Sequence, residues 1–347
     1  MTTEHLLMNT LHGKPTTRAP FWFMRQAGRY LPEYRQLRSQ SNGFLNLCLN
    51  PKTASAITLQ PIHRFNMDAA ILFSDILIVP FGLGMEIDFV EGRGPVLDAL
   101  KDSKSLSKLT QKNNWSRIQA TYETVSKARE SLRPDKALIG FAGAPWTVAT
   151  YMIEGGTSRD HSKAKEWAYA QPNNFKTLIE ILVESTIEHL SKQIDAGADV
   201  VMLFDSWAGA LAPGQFDKWV ISPTKEICRR VRNIHPKIKI IGFPRGAGAG
   251  YIKYSKETEI DAVGLDTSVS PIWAAAELEA PLVIQGNLDP VLLVAGGKGL
   301  QAATLKILDA FDRRPFIFNL GHGILPSTPP EHVAELSEFL GAYRKGG

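Results

Sequence analysis

Five arginines, Arg18, Arg25, Arg29, Arg35 and Arg38, lie between Lys14 and Lys52 with a single acid, Glu33, and no lysine among them. Arginine stays protonated and offers a planar fork of donors that matches carboxylate or phosphate. Such a cluster needs anions from elsewhere: acids on distant parts of the fold, or a polyanionic ligand. Asp75 is the second residue of interest. It lies between Ile71-Leu-Phe and Ile76-Leu-Ile-Val, in the most apolar part of the chain. A carboxylate there is a helix cap or serves a purpose, since burial raises its pKa unless donors compensate. His322 stands between Gly321 and Gly323, where a loop role is expected over a packing role. Read alone, Tyr151 is a core aromatic with a satisfied hydroxyl, and Ser206 is a cap for the helix that follows.

Motifs for cofactor chemistry fail on spacing. Gly246-Ala-Gly-Ala-Gly250 does not match GxGxxG, and Gly296-Gly-Lys298-Gly lacks both the P-loop spacing and the hydroxyl residue after lysine. HExxH and GxSxG are absent, and the eight histidines are scattered. The expectation is a site without metal or cofactor, built from arginines and one apolar-flanked aspartate.

Something must bring these residues together. Eight apolar, β-rich runs occur at 21–24, 69–73, 137–142, 199–204, 238–243, 262–265, 282–285 and 316–320. Amphipathic stretches at 115–130, 173–195, 213–234, 270–279, 300–311 and 331–344 read as helices between or after them. Pro32 suits the first turn of a short helix carrying Tyr34, Arg35 and Arg38. Strand–helix alternation repeated eight times predicts an α/β fold, a single (β/α)8 TIM-type barrel over 1–347 with an N-terminal arm at 1–18. An open doubly wound sheet is the alternative, but Met24-Arg-Gln-Ala-Gly lacks its glycine fingerprint. Residues 101–136, polar at the start, are expected to form an exposed helical excursion.

In a barrel the active site forms from loops at the C-terminal ends of the strands. In chain order those ends carry Arg25, Gln26 and Arg29, then Ser74-Asp75, then Gly143-Ala-Pro145-Trp146 with Tyr151 soon after. Asp205-Ser206-Trp207, Pro244-Arg245-Gly246, Asp266-Thr-Ser268, Gly286-Asn-Leu-Asp289 and Gly321-His322-Gly323 follow. Turn chemistry alone accounts equally well for Asp205, Asp289 and the glycines. No weight falls on Trp207 or Arg245.

Composition bounds the partners. The chain has 347 residues, 44% hydrophobic and 21% charged, with a formal net charge of +4. That charge, with no basic run, does not point to nucleic acid. The apolar stretch from Ala69 to Met85 is interrupted by Ser74, Asp75, Pro80, Gly82 and Gly84, which argues against a membrane helix. Cys48 and Cys228 are isolated, and no secretory signal is seen, so a cytoplasmic setting is expected.

Seven strings, RQAGRYLPEYR (25–35), FSDIL (73–77), GFAGAPWT (140–147), TYMIEGG (150–156), IGFPRGAG (241–248), QGNLDP (285–290) and NLGHG (319–323), resemble the signatures of the uroporphyrinogen decarboxylase family. They run in order over nearly the whole chain. The resemblance implies a homodimer of (β/α)8 barrels with facing clefts. It also implies a carboxy-lyase that converts the four acetates of uroporphyrinogen III to methyls, giving coproporphyrinogen III, without metal or prosthetic group. It places Arg25, Gln26, Ala27, Gly28, Arg29, Asp75, Tyr151, Ser206 and His322 at the substrate, with Arg38 nearby and Phe141 before the GAP turn. Asp75 would be the anion that stabilises the transition state, with Arg25 and Arg29 beside it. The proton donor stays open among His322, Tyr151 and the guanidinium groups of Arg25 and Arg29. Two other readings are a zinc-dependent corrinoid methyltransferase of a related barrel and a non-catalytic tetrapyrrole carrier. The first would want cysteine near the last two strands; the second has no need of Asp75.

Overall fold

The computed structural model describes residues 5–107, 109 and 115–344. Nine strands occur in it: β1 (Ala69–Ile71), β2 (Ile87–Val90), β3 (Gly94–Leu97), β4 (Ala137–Gly143), β5 (Val200–Asp205), β6 (Lys239–Pro244), β7 (Ala262–Gly264), β8 (Val283–Leu288) and β9 (Phe316–Leu320). Seven form one parallel sheet in the order β1-β4-β5-β6-β7-β8-β9. Every residue of β4 is buried, as expected for a parallel strand covered on both faces. Helices such as Pro51–Phe65, Gln119–Ser131, Pro172–Asp195, Ser222–Ile234 and Gly297–Ala310 pack outside it.

The sheet curls, and the segment 20–24 fills the gap between β9 and β1. It does so without becoming a ladder strand, contrary to the expectation for 21–24. The backbone pairs with β9 through Trp22 N–H to Phe318 O (3.3 Å) and Phe318 N–H to Pro20 O (2.8 Å). Other N–H groups go to side chains instead: Phe21 to Asp68 Oδ2 (2.9 Å), Phe23 to Gln26 Oε1 (3.0 Å) and Met24 to Asn319 Oδ1 (3.0 Å). Side chains thus replace the ladder partners on which regular strand geometry depends.

Two further expectations change. Residues 115–131 are not an exposed excursion: Thr121, Tyr122, Thr124, Val125 and Ala128 of helix Gln119–Ser131 are buried, as part of the barrel's helical shell. The insertion is instead the antiparallel pair β2–β3, docked on the end of helix Pro145–Glu154 through Leu97 N–H to Gly155 O (3.1 Å). The single helix expected over 213–234 is broken into Pro213–Phe216, a wide turn Asp217–Ile221, and Ser222–Ile234. Pro223 has no N–H to continue the i→i−4 ladder, which favours the widened turn before it.

At the N-terminal end of the barrel three aspartates act alike. Asp68, just before β1, accepts from Arg18 (2.6 and 2.9 Å) and Phe21 N–H. Asp199, before β5, accepts from Arg129 (2.8 Å) and Leu138 N–H (2.7 Å). Asp261, before β7, accepts from Arg232 (2.7 Å), Lys239 (3.0 Å) and Ile240 N–H (2.9 Å). This end is closed by internally neutralised pairs, which fits a stabilising rather than a functional face. Among the described residues no helix is long and apolar enough to cross a membrane.

Candidate active site

The opposite end carries the predicted residues. Arg25 sits in a turn closed by Gln26 N–H to Phe23 O (3.0 Å), with a left-handed φ of 60°. A non-glycine residue there costs on the order of 1 kcal/mol, and glycine would be the unstrained choice. Ile324 N–H donates to Met24 O (2.9 Å), which fastens this turn to the loop after β9. The Arg25 side chain then crosses directly over Gly323. Its charge reaches Asp75, Tyr151 and His322.

The arginine cluster resolves into two kinds. Arg18 is spent on Asp68, and the one internal acid, Glu33, faces Arg64 (3.2 Å). Arg35 donates to the carbonyls of Arg29 and Tyr30, both at 3.0 Å. Among the described residues Arg25, Arg29 and Arg38 have no carboxylate partner. Arg25 and Arg29 are exposed, while Arg38 buries an Nη1 that has no acceptor and packs over Phe44, 5.6 Å from the ring centre. Among the described residues, pairing with distant acids does not account for these three.

Asp75 follows β1 and is half-buried. Leu77 N–H donates to its Oδ1 (2.8 Å), a local turn bond of the kind the cap reading expected. Burial raises its pKa, while that bond and the charge of Arg25 pull it down. Tyr151, on helix Pro145–Glu154, is half-buried. Its ring stands 6.2 Å from that of Trp207, and burial and Asp75 both push its pKa up.

Strand periodicity assigns the residues of β5. Met202 faces the barrel interior, with its sulfur 4.0 Å from Gln285 Nε2, so Phe204 shares that face and Asp205 points outward, and Ser206 begins the turn that follows. Ser206 is half-buried, and no side chain caps the short helix Ala208–Ala210 after it. Asp205 is fully buried behind the strand, where it accepts from Thr147 Oγ1 (2.5 Å); that hydroxyl in turn accepts from Trp207 N–H (3.0 Å). Burial lifts the Asp205 carboxyl to about 7. Asp289 caps helix Pro290–Ala295 through Val291 N–H (2.9 Å), the turn-chemistry alternative.

His322 is half-buried in the loop after β9. Gly323 N–H donates to its Nδ1 (2.6 Å), so the neutral ring carries its proton on Nε2. Burial, with Arg25 and Arg245 beside it, lowers its pKa to about 4.

The mouth closes as a circuit. Asp75 and His322 both feel Arg25, His322 also feels Arg245, the Arg245 guanidinium stands 6.0 Å from the Trp207 ring, Trp207 faces Tyr151, and Tyr151 feels Asp75. Phe141 and Phe204 meet edge to face at 5.5 Å, and both pack against the apolar core. Sequence reasoning placed no weight on Trp207 and Arg245. The available signal was that Arg245 directly follows β6 and Trp207 comes second after β5.

Gln26 occupies a different place. It is 0% exposed, with Oε1 on Phe23 N–H and Nε2 on Ala69 O (3.0 Å). It holds the turn from beneath and does not face the mouth. Ala27 and Gly28 are half-buried in the same loop. Among the described residues no His, Cys, Asp or Glu side chains gather in threes as a metal site would require, and Cys48 and Cys228 are buried and free.

Comparison with known proteins agrees over the same span. Residues 2–343 match the sequence profile of the family described as uroporphyrinogen decarboxylase (URO-D). A uroporphyrinogen decarboxylase of Rhodospirillum rubrum is 48% identical over 342 residues, covering 99% of this chain and 98% of the relative. One of Sphingopyxis alaskensis is 50% identical over 330 residues, covering 95% and 96%. Among solved structures, a methyltransferase from Methanosarcina mazei superposes with a TM-score of 0.82 at 19% identity, covering 98% of each chain. At that identity the likeness concerns the fold alone.

Proposed function

We infer the chemistry of this site from one premise: the chain belongs to the uroporphyrinogen decarboxylase family. It is an enzyme of porphyrin and heme biosynthesis that converts the four acetate side chains of uroporphyrinogen III to methyls, giving coproporphyrinogen III and carbon dioxide. The methyltransferase reading is not favoured, since its support is confined to fold likeness.

One observation carries the assignment of residues: Arg25, Arg29 and Arg38 have no carboxylate partner, while Arg18 and Glu33 of the same segment are paired elsewhere. A substrate with eight carboxylates supplies the missing anions, and two-pronged arginine pairing also fixes its orientation. The loop at Ala27 and Gly28 lines the approach, Gln26 positions it, and Ser206 and His322 offer hydrogen bonds to substrate carboxylates.

The reaction needs a proton at the ring carbon beside the one that bears the acetate. The cationic ring then takes up the electron pair released as the bond to the carboxylate breaks. Protonation of the resulting exocyclic methylene and loss of the ring proton leave a methyl, so each turnover consumes one proton. Asp75 is proposed as the anion that meets the pyrrole N–H groups and balances the ring cation. Leu77 N–H occupies one of its oxygens, and the approach of the N–H donors would keep the carboxyl ionised despite burial. A neutral His322 donates a hydrogen bond but is not an imidazolium acid. The proton is therefore assigned to solvent relayed by Tyr151 or by Arg25 or Arg29.

A cytoplasmic homodimer with facing clefts is proposed for the assembly. Anaerobic incubation with uroporphyrinogen III, followed by oxidation and porphyrin chromatography, tests the function. Products with seven down to four carboxylates are expected; octacarboxylate alone would overturn the reading.

A further inference from the structure

We propose that Arg245 is a further substrate-binding residue, a cation on the far side of the mouth that takes one carboxylate of the tetrapyrrole. The inference rests on the decarboxylase reading and extends it.

Arg245 follows β6 directly, and its backbone is held on both sides. Its N–H donates to Asp205 O (3.1 Å), and its carbonyl accepts from Gly209 N–H (3.0 Å). The two loops approach so closely that a β-carbon on Gly209 would fall 2.6 Å from the Gly246 carbonyl carbon. The side chain therefore leaves a fixed backbone, the preorganisation that makes a binding contact efficient.

The guanidinium is half-buried over the Trp207 ring and near enough to His322 to depress its protonation. Asp266, held by the backbone next to Arg245, already has its hydrogen-bonding oxygens occupied. Asp266 accepts from Gly246 N–H (2.7 Å) and Tyr251 Oη (2.9 Å) on one oxygen, and from Ser268 N–H (2.9 Å) and Ser268 Oγ (2.6 Å) on the other. Among the described residues no acid pairs with Arg245. Arg245 and Arg25 both stand close enough to His322 to lower its pKa.

The arrangement separates two cationic poles. Arg25, Arg29 and Arg38 stand on the Asp75 side, and Arg245 stands beyond His322 and Trp207. A macrocycle with carboxylates on all four rings can engage both poles at once, whereas a small mono-anion could use one. The guanidinium carbon stands 6.0 Å from the Trp207 ring centroid, and none of its donors is paired with a carboxylate among the described residues, so the fork can take a substrate carboxylate.

The test uses Arg245→Met, which keeps the stem over Trp207 and removes the charge, and Arg245→Gln as a second neutral variant. KM for uroporphyrinogen III should rise about tenfold with kcat nearly unchanged, the size expected for losing a hydrogen bond to a charged group. Binding of uroporphyrin, followed by fluorescence, should weaken in parallel and lose part of its salt dependence. Titration of His322 by NMR should move upward once the neighbouring charge is gone. A folded variant with unchanged KM and unchanged uroporphyrin binding overturns the proposal. Wild-type protein that binds uroporphyrin through Arg245 but never decarboxylates uroporphyrinogen would sink the functional reading and leave this contact standing.

Discussion

The stem of Arg25 lies across the α-carbon of Gly323: a β-carbon there would stand 2.6 Å from Arg25 Cγ and closer still to Cδ. The glycine is thus required by a neighbour from the opposite end of the chain rather than by its own backbone, since Gly323 is not among the positive-φ residues. Gly323→Ala should therefore fold normally yet push Arg25 off its path. A misplacement of about 1 Å at a reacting group can cost about 10²-fold. A fall in kcat/KM of at least tenfold, with an unchanged melting temperature, is expected. Wild-type kcat/KM in this variant would show that Arg25 is not held there for catalysis.

Asp75→Asn removes the proposed anion and retains its shape, including an oxygen for Leu77 N–H. Loss of one well-placed electrostatic stabiliser costs about 10²–10³ in kcat. Asp75→Glu should retain more activity than the amide, because it keeps the charge. The measurement is kcat for both variants beside a circular-dichroism melt. A folded amide variant turning over at near wild-type rate would reduce Asp75 to a turn residue.

His322 should remain neutral through the physiological range, with its proton on Nε2. Its lowered pKa, about 4, means that the unfolded chain binds a proton here before the folded one does. Its contribution is therefore a loss of stability as pH falls from about 6.5 toward 4. Nitrogen-15 NMR should show the Nε2–H tautomer at pH 7 and no titration of this ring above pH 5.5. A midpoint near 6.5 would return His322 to the candidates for proton donor.

Asp205 shifts the other way, to about 7, because nothing but Thr147 compensates its burial. Between about pH 4 and 7 the folded state holds a proton that the unfolded state has released, so Asp205 lowers stability as pH rises through that window. Asp205→Asn should flatten the pH dependence of the melting temperature there and match or exceed wild type at pH 8. It keeps an acceptor for Thr147, so the Trp207 loop and kcat should survive. A destabilised Asp205→Asn protein at pH 8 would show that the carboxylate is needed ionised.

Arg29→Lys probes the fork rather than the charge. A point charge cannot reproduce two parallel donor bonds. kcat/KM for uroporphyrinogen III should fall several-fold in steady-state assays, and an unchanged value would remove Arg29 from the binding set.

Local sequence determined much of this. Apolar runs located β1 and β4–β9 within a few residues, because a buried parallel strand must be apolar on both faces. Pro32 and Pro172 stand at the first turns of their helices. The excess of arginine over acid near the N-terminus, and the carboxylate of Asp75 amid apolar neighbours, were legible from residue types alone. Tertiary structure decided which of those cations stay available. Arg18 is neutralised by Asp68, fifty positions away, and Glu33 by Arg64. It decided that the N–H groups of segment 20–24 bond to the side chains of Asp68, Gln26 and Asn319, so the eighth barrel position holds no regular strand. It turned Gln26 inward, sent Asp205 behind β5, and brought Arg245 and Trp207 to the mouth. These outcomes depend on partners distant in sequence, and pairing, burial and facing are properties of the closed barrel rather than of any segment within it.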